Sequence, residues 1–218
     1  MNDSSRIVEG FIDANVLADA ILADNRIEEL SKEAVAHEDS NRFSQELKDL
    51  FNSYQPAKFA NILFVILQSM PRSVLMTANL AFLEARGVIA ELYKKRQLSR
   101  RGIPAGEWQS KKMKLKNEEL LEIYAGVSKF RMKYDHHIVI SDEYDIHTAE
   151  TLVVEYSCSA RDAILVSGAI QASCNRFVTR DTQLKRLLRG YKKIRIVELE
   201  VFLKELGYAG DFVPHQKV

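Results

Sequence analysis

Four acids stand where the surrounding pattern gives a carboxylate little reason to be. Gly10-Phe11-Ile12 runs into Asp13-Ala14-Asn15, and an apolar helical pattern begins at Val16. Glu84 has Leu80, Ala81, Gly87 and Val88 at helical spacing, whereas Glu91 finds Lys94 and Lys95 three and four residues on. Asp162 lies among Ala160, Ala163, Ile164, Leu165 and Val166, and Asp181 follows Phe177-Val178-Thr179-Arg180. Acids in apolar settings resist ionising, and placing several together raises their pKa further. A divalent cation removes both difficulties, and Mg²⁺ and Mn²⁺ favour oxygen ligands. The chemistry such a group offers is activation of water against a phosphate ester. Each acid also has a capping reading. Asp13 and Asp181 can each cap the helix that follows, Ser159-Ala160-Arg161-Asp162 fits a capping box, and Glu84 suits the first turns of its helix.

The elements that must position these acids alternate between strands and helices. Residues 7–12 suit a first strand, followed by a short helix over 15–23 and a second over 27–35. Phe43, Leu47, Leu50, Phe51 and Tyr54 repeat at helical spacing up to Pro56, and Ala57 to Gln68 reads as a buried helix bounded by Pro71. Ser73 to Thr77 is the next strand, and a long helix spans 79–97. Gly102, Pro104 and Gly106 break the chain into a loop that holds the single Trp108. A helix over 117–133, with Leu120, Leu121, Tyr124, Val127 and Phe130 on one side, precedes an extended stretch at 137–140. Helices over 145–158 and 159–173, a strand at 177–179, a helix at 182–189, a strand at 194–197 and a helix at 198–206 complete the chain. Strands alternating with helices imply an α/β fold with a mostly parallel sheet, which places acids at strand ends along the carboxyl edge.

The spacing of Phe11-Ile12-Asp13-Ala14-Asn15-Val16-Leu17, of Thr77-Ala78-Asn79-Leu80-Ala81-Phe82-Leu83-Glu84, and of Asp162-Ala163 followed by Phe177-Val178-Thr179-Arg180-Asp181 resembles the PIN-domain nucleases. That superfamily includes the VapC-type toxin ribonucleases. The resemblance implies a three-layer PIN-like fold over 1–218, with a helical elaboration at about 24–70 and a basic helix-loop-helix insertion at about 94–135. It also implies metal-dependent endoribonuclease activity, with Asp13, Glu84, Asp162 and Asp181 as the Mg²⁺- or Mn²⁺-binding acids. Asn15 and Thr179 are then the supporting polar positions, Thr179 orienting Asp181 or a bound water. An antitoxin protein and a homodimer are the partners that family membership suggests. A non-catalytic RNA-binding scaffold on the same fold and a DNA nuclease are the alternatives. A phosphatase using Asp13 as nucleophile would need an acid where Asn15 stands.

With 218 residues, 46% of them hydrophobic, the chain can build one substantial core. Its longest apolar run, Ile62 to Leu67, is too short to span a bilayer, and the polar start lacks the build of a signal peptide. A cytoplasmic protein with no membrane partner is the expectation. Net charge is only +1, but Lys94, Lys95, Arg96, Arg100, Arg101, Lys111, Lys112, Lys114 and Lys116 face Glu107 alone. Such a cluster suits RNA phosphates, with Trp108 or Tyr93 available to stack on a base. Cys158 and Cys174 have no metal or redox spacing and read as free buried thiols, and adjacent His136 and His137 do not suit one ion.

Overall fold

The computed structural model describes residues 7–37, 40–111 and 113–208, so Lys112 of the basic run lies outside the described residues. Five strands form one all-parallel sheet in the order β3-β2-β1-β4-β5. They are β1 (Ile7–Ile12), β2 (Ser73–Thr77), β3 (Ile138–Ile140), β4 (Arg176–Val178) and β5 (Arg195–Val197). Strand order reverses at β1, which has β2 on one side and β4 on the other. The carboxyl ends of β1 and β4 therefore form the switch-point crevice at which open α/β sheets bind ligands.

Helices cover the sheet in layers. α1 (Ala14–His37) packs against α2 (Ser40–Ser53), α3 (Gln55–Ser69), α4 (Asn79–Arg100) and α5 (Asn117–Lys133). α6 (Ile146–Val154) pairs with α7 (Ala160–Gln171), and α7 touches β2 and β4. α8 (Thr182–Leu187) and α9 (Leu199–Glu205) flank β5 in the chain, and α9 also meets α3. Phe11, Ile12, Phe177 and Val178 are fully buried in the central strands, as expected of a sheet covered on both faces.

Several local expectations are corrected. The two helices expected over 15–23 and 27–35 are one, α1. No Gly or Pro interrupts residues 24–26, and buried Asp24 is held in the helix by Lys133 and by the Tyr134 hydroxyl at 3.1 Å. On α5 the buried face is Ile123, Val127 and Phe130, while Leu120, Leu121 and Tyr124 are exposed. Tyr124 instead lies under the Arg86 guanidinium, 5.0 Å from its ring centre. The helix expected over 145–158 stops at Val154, and the chain turns through Ser157 in the left-handed region (φ 57°). Tyr54 leaves the apolar stripe of α2 and begins α3, and the side chains of Phe43 and Leu50 lie outside the described residues. No helix among the described residues is long and apolar enough to cross a membrane.

Candidate active site

Asp13 is the first residue past β1, and its N–H continues the parallel ladder to Val178 O at 3.0 Å. The residue is 4% exposed. Oδ1 accepts from the Ala14 N–H at 2.6 Å, and Oδ2 accepts from Thr179 Oγ1 at 2.6 Å and Asn15 Nδ2 at 3.2 Å. Burial pushes the Asp13 pKa up, the three donors pull it back, and the charge of Asp162 raises it again. Buried without these donors, the carboxylate would cost several kcal/mol more to ionise, on the order of a fully desolvated charge.

Thr179 is the hinge of the arrangement. It stands just past β4, is 1% exposed, and donates its N–H to Val197 O at 3.0 Å. Its hydroxyl donates to Asp13 and accepts the Asp181 N–H at 3.0 Å. Thr179 is expected to orient Asp181 or a bound water; its hydroxyl holds Asp181 by the main-chain N–H and, in addition, orients the Asp13 carboxylate. Asn15 donates its side-chain amide to the same Asp13 oxygen.

Asp162 arrives from the first turn of α7. Ser159 Oγ accepts the Asp162 N–H at 3.2 Å and donates to Asp162 Oδ2 at 2.7 Å. Helix capping therefore fixes the orientation of this carboxylate and does not compete with a role in the site. Glu84 comes from the second turn of α4 with its side chain 15% exposed. Burial is the main cause of its raised pKa, the Arg161 guanidinium at 3.1 Å opposes it, and Asp13 and Asp162 add to it. The structure thus brings Asp13, Glu84 and Asp162 into one electrostatic neighbourhood supplied by three different elements. Asp181 is joined to them through Thr179. Its Oδ1 accepts the N–H groups of Gln183 and Leu184 at 2.7 and 2.9 Å, capping α8.

Among the described residues no three His, Cys, Asp or Glu side chains already surround a point where an ion would sit. The donor set nevertheless fits a hard cation. All the candidate ligands are carboxylate oxygens, and Mg²⁺ needs only one or two of them because it keeps several waters. Glu91 pairs with Lys94 at 2.5 Å, the solvent-face contact its spacing predicts, so Glu84 is the acid of α4 that faces the site.

Sequence reasoning missed three residues. Arg161 is the counter-ion of Glu84. Asp142, past β3, accepts from the Asn79 N–H and side-chain amide at 2.7 and 2.5 Å and so ties the start of α4 to the carboxyl edge. Asp19 is completely buried; its Oδ1 accepts from Tyr54 at 2.7 Å and from Arg180 Nη2 at 3.0 Å. Arg180 Nε also lies 2.5 Å from Asp19 Oδ2, an ion contact without the alignment of a hydrogen bond. The reasoning that marked Asp162, an acid flanked by apolar neighbours, applies equally to Asp19 between Ala18 and Ala20.

The basic run lies elsewhere. α4 leaves the carboxyl edge at Asn79, and at 1.5 Å per residue Lys94, Lys95, Arg96 and Arg100 stand roughly 15–24 Å along the helix from Glu84. Lys94 is paired with Glu91, Lys111 lies 3.7 Å from Glu107, and the Lys116 N–H is bonded to Glu119 at 2.8 Å. Arg101 and Lys114 are exposed in the same segment. Trp108 donates to Ile103 O at 2.8 Å and Tyr93 to Glu122 at 3.0 Å, so both proposed stacking rings are engaged within the fold. Cys158 and Cys174 are free and buried, and burial pushes their thiols up to about 11 and about 12. No protein-family model, curated protein or solved structure matches the chain.

Proposed function

We propose that the chain is a metal-dependent endoribonuclease of the PIN-domain type. The observation that carries this reading is the buried Asp13 carboxylate at the sheet's switch point, electrostatically coupled to Glu84 and Asp162. Asp162 raises the cost of ionising Asp13, and both raise that of Glu84, so a shared dication would relieve the two. Asp13 and Asp162 are the ligands held ready, the first by Thr179 and Asn15 and the second by Ser159. Glu84, released from Arg161, joins them as a ligand or as a base acting through water. Asp181 keeps Thr179 in place through its N–H. A bound Mg²⁺ or Mn²⁺ supplies Lewis-acid charge and a water of lowered pKa for phosphodiester hydrolysis. Cleavage of the P–O3′ bond leaves a 5′ phosphate on one product and a 3′ hydroxyl on the other.

The Glu84–Arg161 pair favours a second reading, a non-catalytic RNA-binding protein in which a guanidinium takes the place of the metal's charge. One experiment separates the two. Purified protein is incubated with RNA in Mg²⁺, Mn²⁺ or EDTA beside Asp13→Asn and Asp162→Asn. The nuclease reading expects cutting in Mg²⁺ or Mn²⁺ that disappears with EDTA and falls about 100-fold or more in both variants. Intact RNA with tight, salt-sensitive binding would leave the scaffold. Equal cutting by all three proteins would remove the support for either site assignment.

A further inference from the structure

A second run of cations, closer to the acids than the first, follows Asp181. Residues 185–195 contain Lys185, Arg186, Arg189, Lys192, Lys193 and Arg195 and no acid. They form α8, the turn after it and the start of β5, the terminal strand of the sheet. A groove of about 370 Å³ lies along this edge, with Lys185, Arg189, Tyr191 and Arg195 in its wall and Glu198 as its one acid. Much of the positive charge is uncompensated. Lys185 pairs with Glu198 at 2.5 Å, and Arg195 shares Glu205 with Arg176. Arg186, Arg189, Lys192 and Lys193 are exposed and make no ion pair among the described residues, although Lys193 is near enough to Asp145 to help hold its carboxyl below the usual range.

We propose that this β5-edge groove is the path of a single-stranded RNA backbone leading to the acids; the inference rests on the nuclease reading above for the identity of the strand. Position argues for it. The groove includes Val197 and Glu198 at the carboxyl edge, and Val197 O accepts the N–H of Thr179, the residue that holds Asp13. At about 4.8 Å between neighbouring strands, two steps from β1 to β5 put the groove on the order of 10 Å from Asp13. The basic end of α4 is roughly twice as far from the acids. Protection of a bare sheet edge explains some of these cations, but a short charged strand already achieves that, and it needs neither a hollow nor three unpaired charges in the turn after α8, of which Arg189 lines the hollow. Phosphate contacts of this kind fix register along the strand without reading sequence.

The test measures anisotropy of a fluorescein-labelled oligouridine of about 16 nucleotides, titrated in EDTA so that cleavage cannot intervene. The proteins compared are the wild type, the triple reversal Arg189→Glu/Lys192→Glu/Lys193→Glu, and the control reversal Lys95→Glu/Arg96→Glu/Arg100→Glu. The expectation is at least about tenfold weaker binding by the first triple than by the wild type, with a salt slope reduced by about 2, and less than about twofold loss in the control. Arg189→Gln/Lys192→Gln/Lys193→Gln, expected to lose binding in the same direction, stands in if the reversal fails to fold by circular dichroism. Unchanged binding by the α8–β5 variants, the larger loss in the control, or displacement of the RNA by polyglutamate as readily as by unlabelled RNA would overturn the inference. Failure of the groove and failure of the nuclease reading differ in outcome. Normal Mg²⁺-dependent cutting by the groove variants sinks the groove alone, and groove-dependent binding without cutting by the wild type sinks the nuclease alone.

Discussion

The ionisation of Asp13 is set by burial working against three hydrogen bonds, of which the one from the Thr179 hydroxyl lowers its pKa most. The Thr179 O–H lowers an Asp13 pKa that burial and Asp162 raise. Thr179→Val keeps the volume and removes the donor, so the Asp13 pKa moves further up. Binding of Mn²⁺, which requires the ionised carboxylate, is then expected to need a higher pH, with Thr179→Ser restoring the wild-type profile. A Mn²⁺ titration by electron paramagnetic resonance across pH reads this directly, and an unshifted profile would detach Thr179 from Asp13. The same substitution is expected to cost about 1–3 kcal/mol of stability through the unpaired Asp181 N–H and an Asp13 oxygen left with Asn15 alone. Arg161 works in the other direction. Its side chain is 70% exposed, so removing it costs little structure, yet it places a positive charge against Glu84. Arg161→Gln is expected to tighten Mn²⁺ binding by about threefold to tenfold, the scale of a screened charge at this distance. Weaker binding would mean that Arg161 supports the acids instead of competing for them. At this scale the sequence displayed Asp13, Glu84 and Asp162 because each stands in an apolar setting with no basic partner at helical spacing. It hid Arg161, whose partner lies on another helix, and it hid the Asp19 cluster, whose partners Tyr54 and Arg180 are 35 and 161 residues away.

Elements were readable wherever local punctuation set them, and less so where tertiary contacts did. Ser159 before α7 and Asp145 before α6 are ordinary N-caps whose side chains accept backbone N–H groups, and both helix starts follow from residue type. The unbroken length of α1 does not, because it depends on Asp24, Lys133 and Tyr134 meeting across the α1–α5 interface. Gly126 marks the same interface. A Cβ there would stand 2.3 Å from Asn25 Nδ2, the movable end of a side chain on α1. Gly126→Ala is expected to be close to neutral alone, because the gain in helix propensity is offset by displacing Asn25. In an Asn25→Ala background the same change is expected to stabilise by about 1 kcal/mol. Urea midpoints of the four proteins of that cycle test it, and equal effects in both backgrounds would show that Asn25 is not the obstacle. Asp19, also on α1, makes a pH prediction. Burial outweighs the attraction of Arg180 and pushes its pKa up from 3.8 to about 6. Between about pH 4 and about pH 6 the folded state therefore holds a proton that the unfolded chain has released, so this contribution to stability falls as pH rises through the window and is flat above it. The stability difference between wild type and Asp19→Asn should shrink across that window and then stop changing.

For the whole molecule, the question is whether the segment over 94–135 is an appendage or part of the structure that holds the acids. As a sequence it looks like an addition, because its loop residues and its cations outnumber its apolar pattern. The fold divides it. Its first half, from the end of α4 through the turn at Ala105–Ser110, buries little, whereas Ile123, Val127 and Phe130 of α5 belong to the same contiguous core as the strands. Phe130 meets Phe64 of α3 edge to face at 4.9 Å and Tyr134 at 4.7 Å, so α3 and α5 are joined by a cluster of aromatic rings. α1 packs on both of these helices and begins just after Asp13. A cavity at Phe130 is therefore felt by the element that sets the buried carboxylate. Trp108, the one tryptophan of the chain, stands in the less buried half, so its emission reports that half separately. Phe130→Ala is expected to cost about 3–5 kcal/mol and to lower a single unfolding transition seen alike by far-ultraviolet circular dichroism and Trp108 fluorescence. Two transitions, the earlier one reported by Trp108 and the later one unaffected by the substitution, would make the segment an independent module and leave α1 and the acids to the rest of the fold.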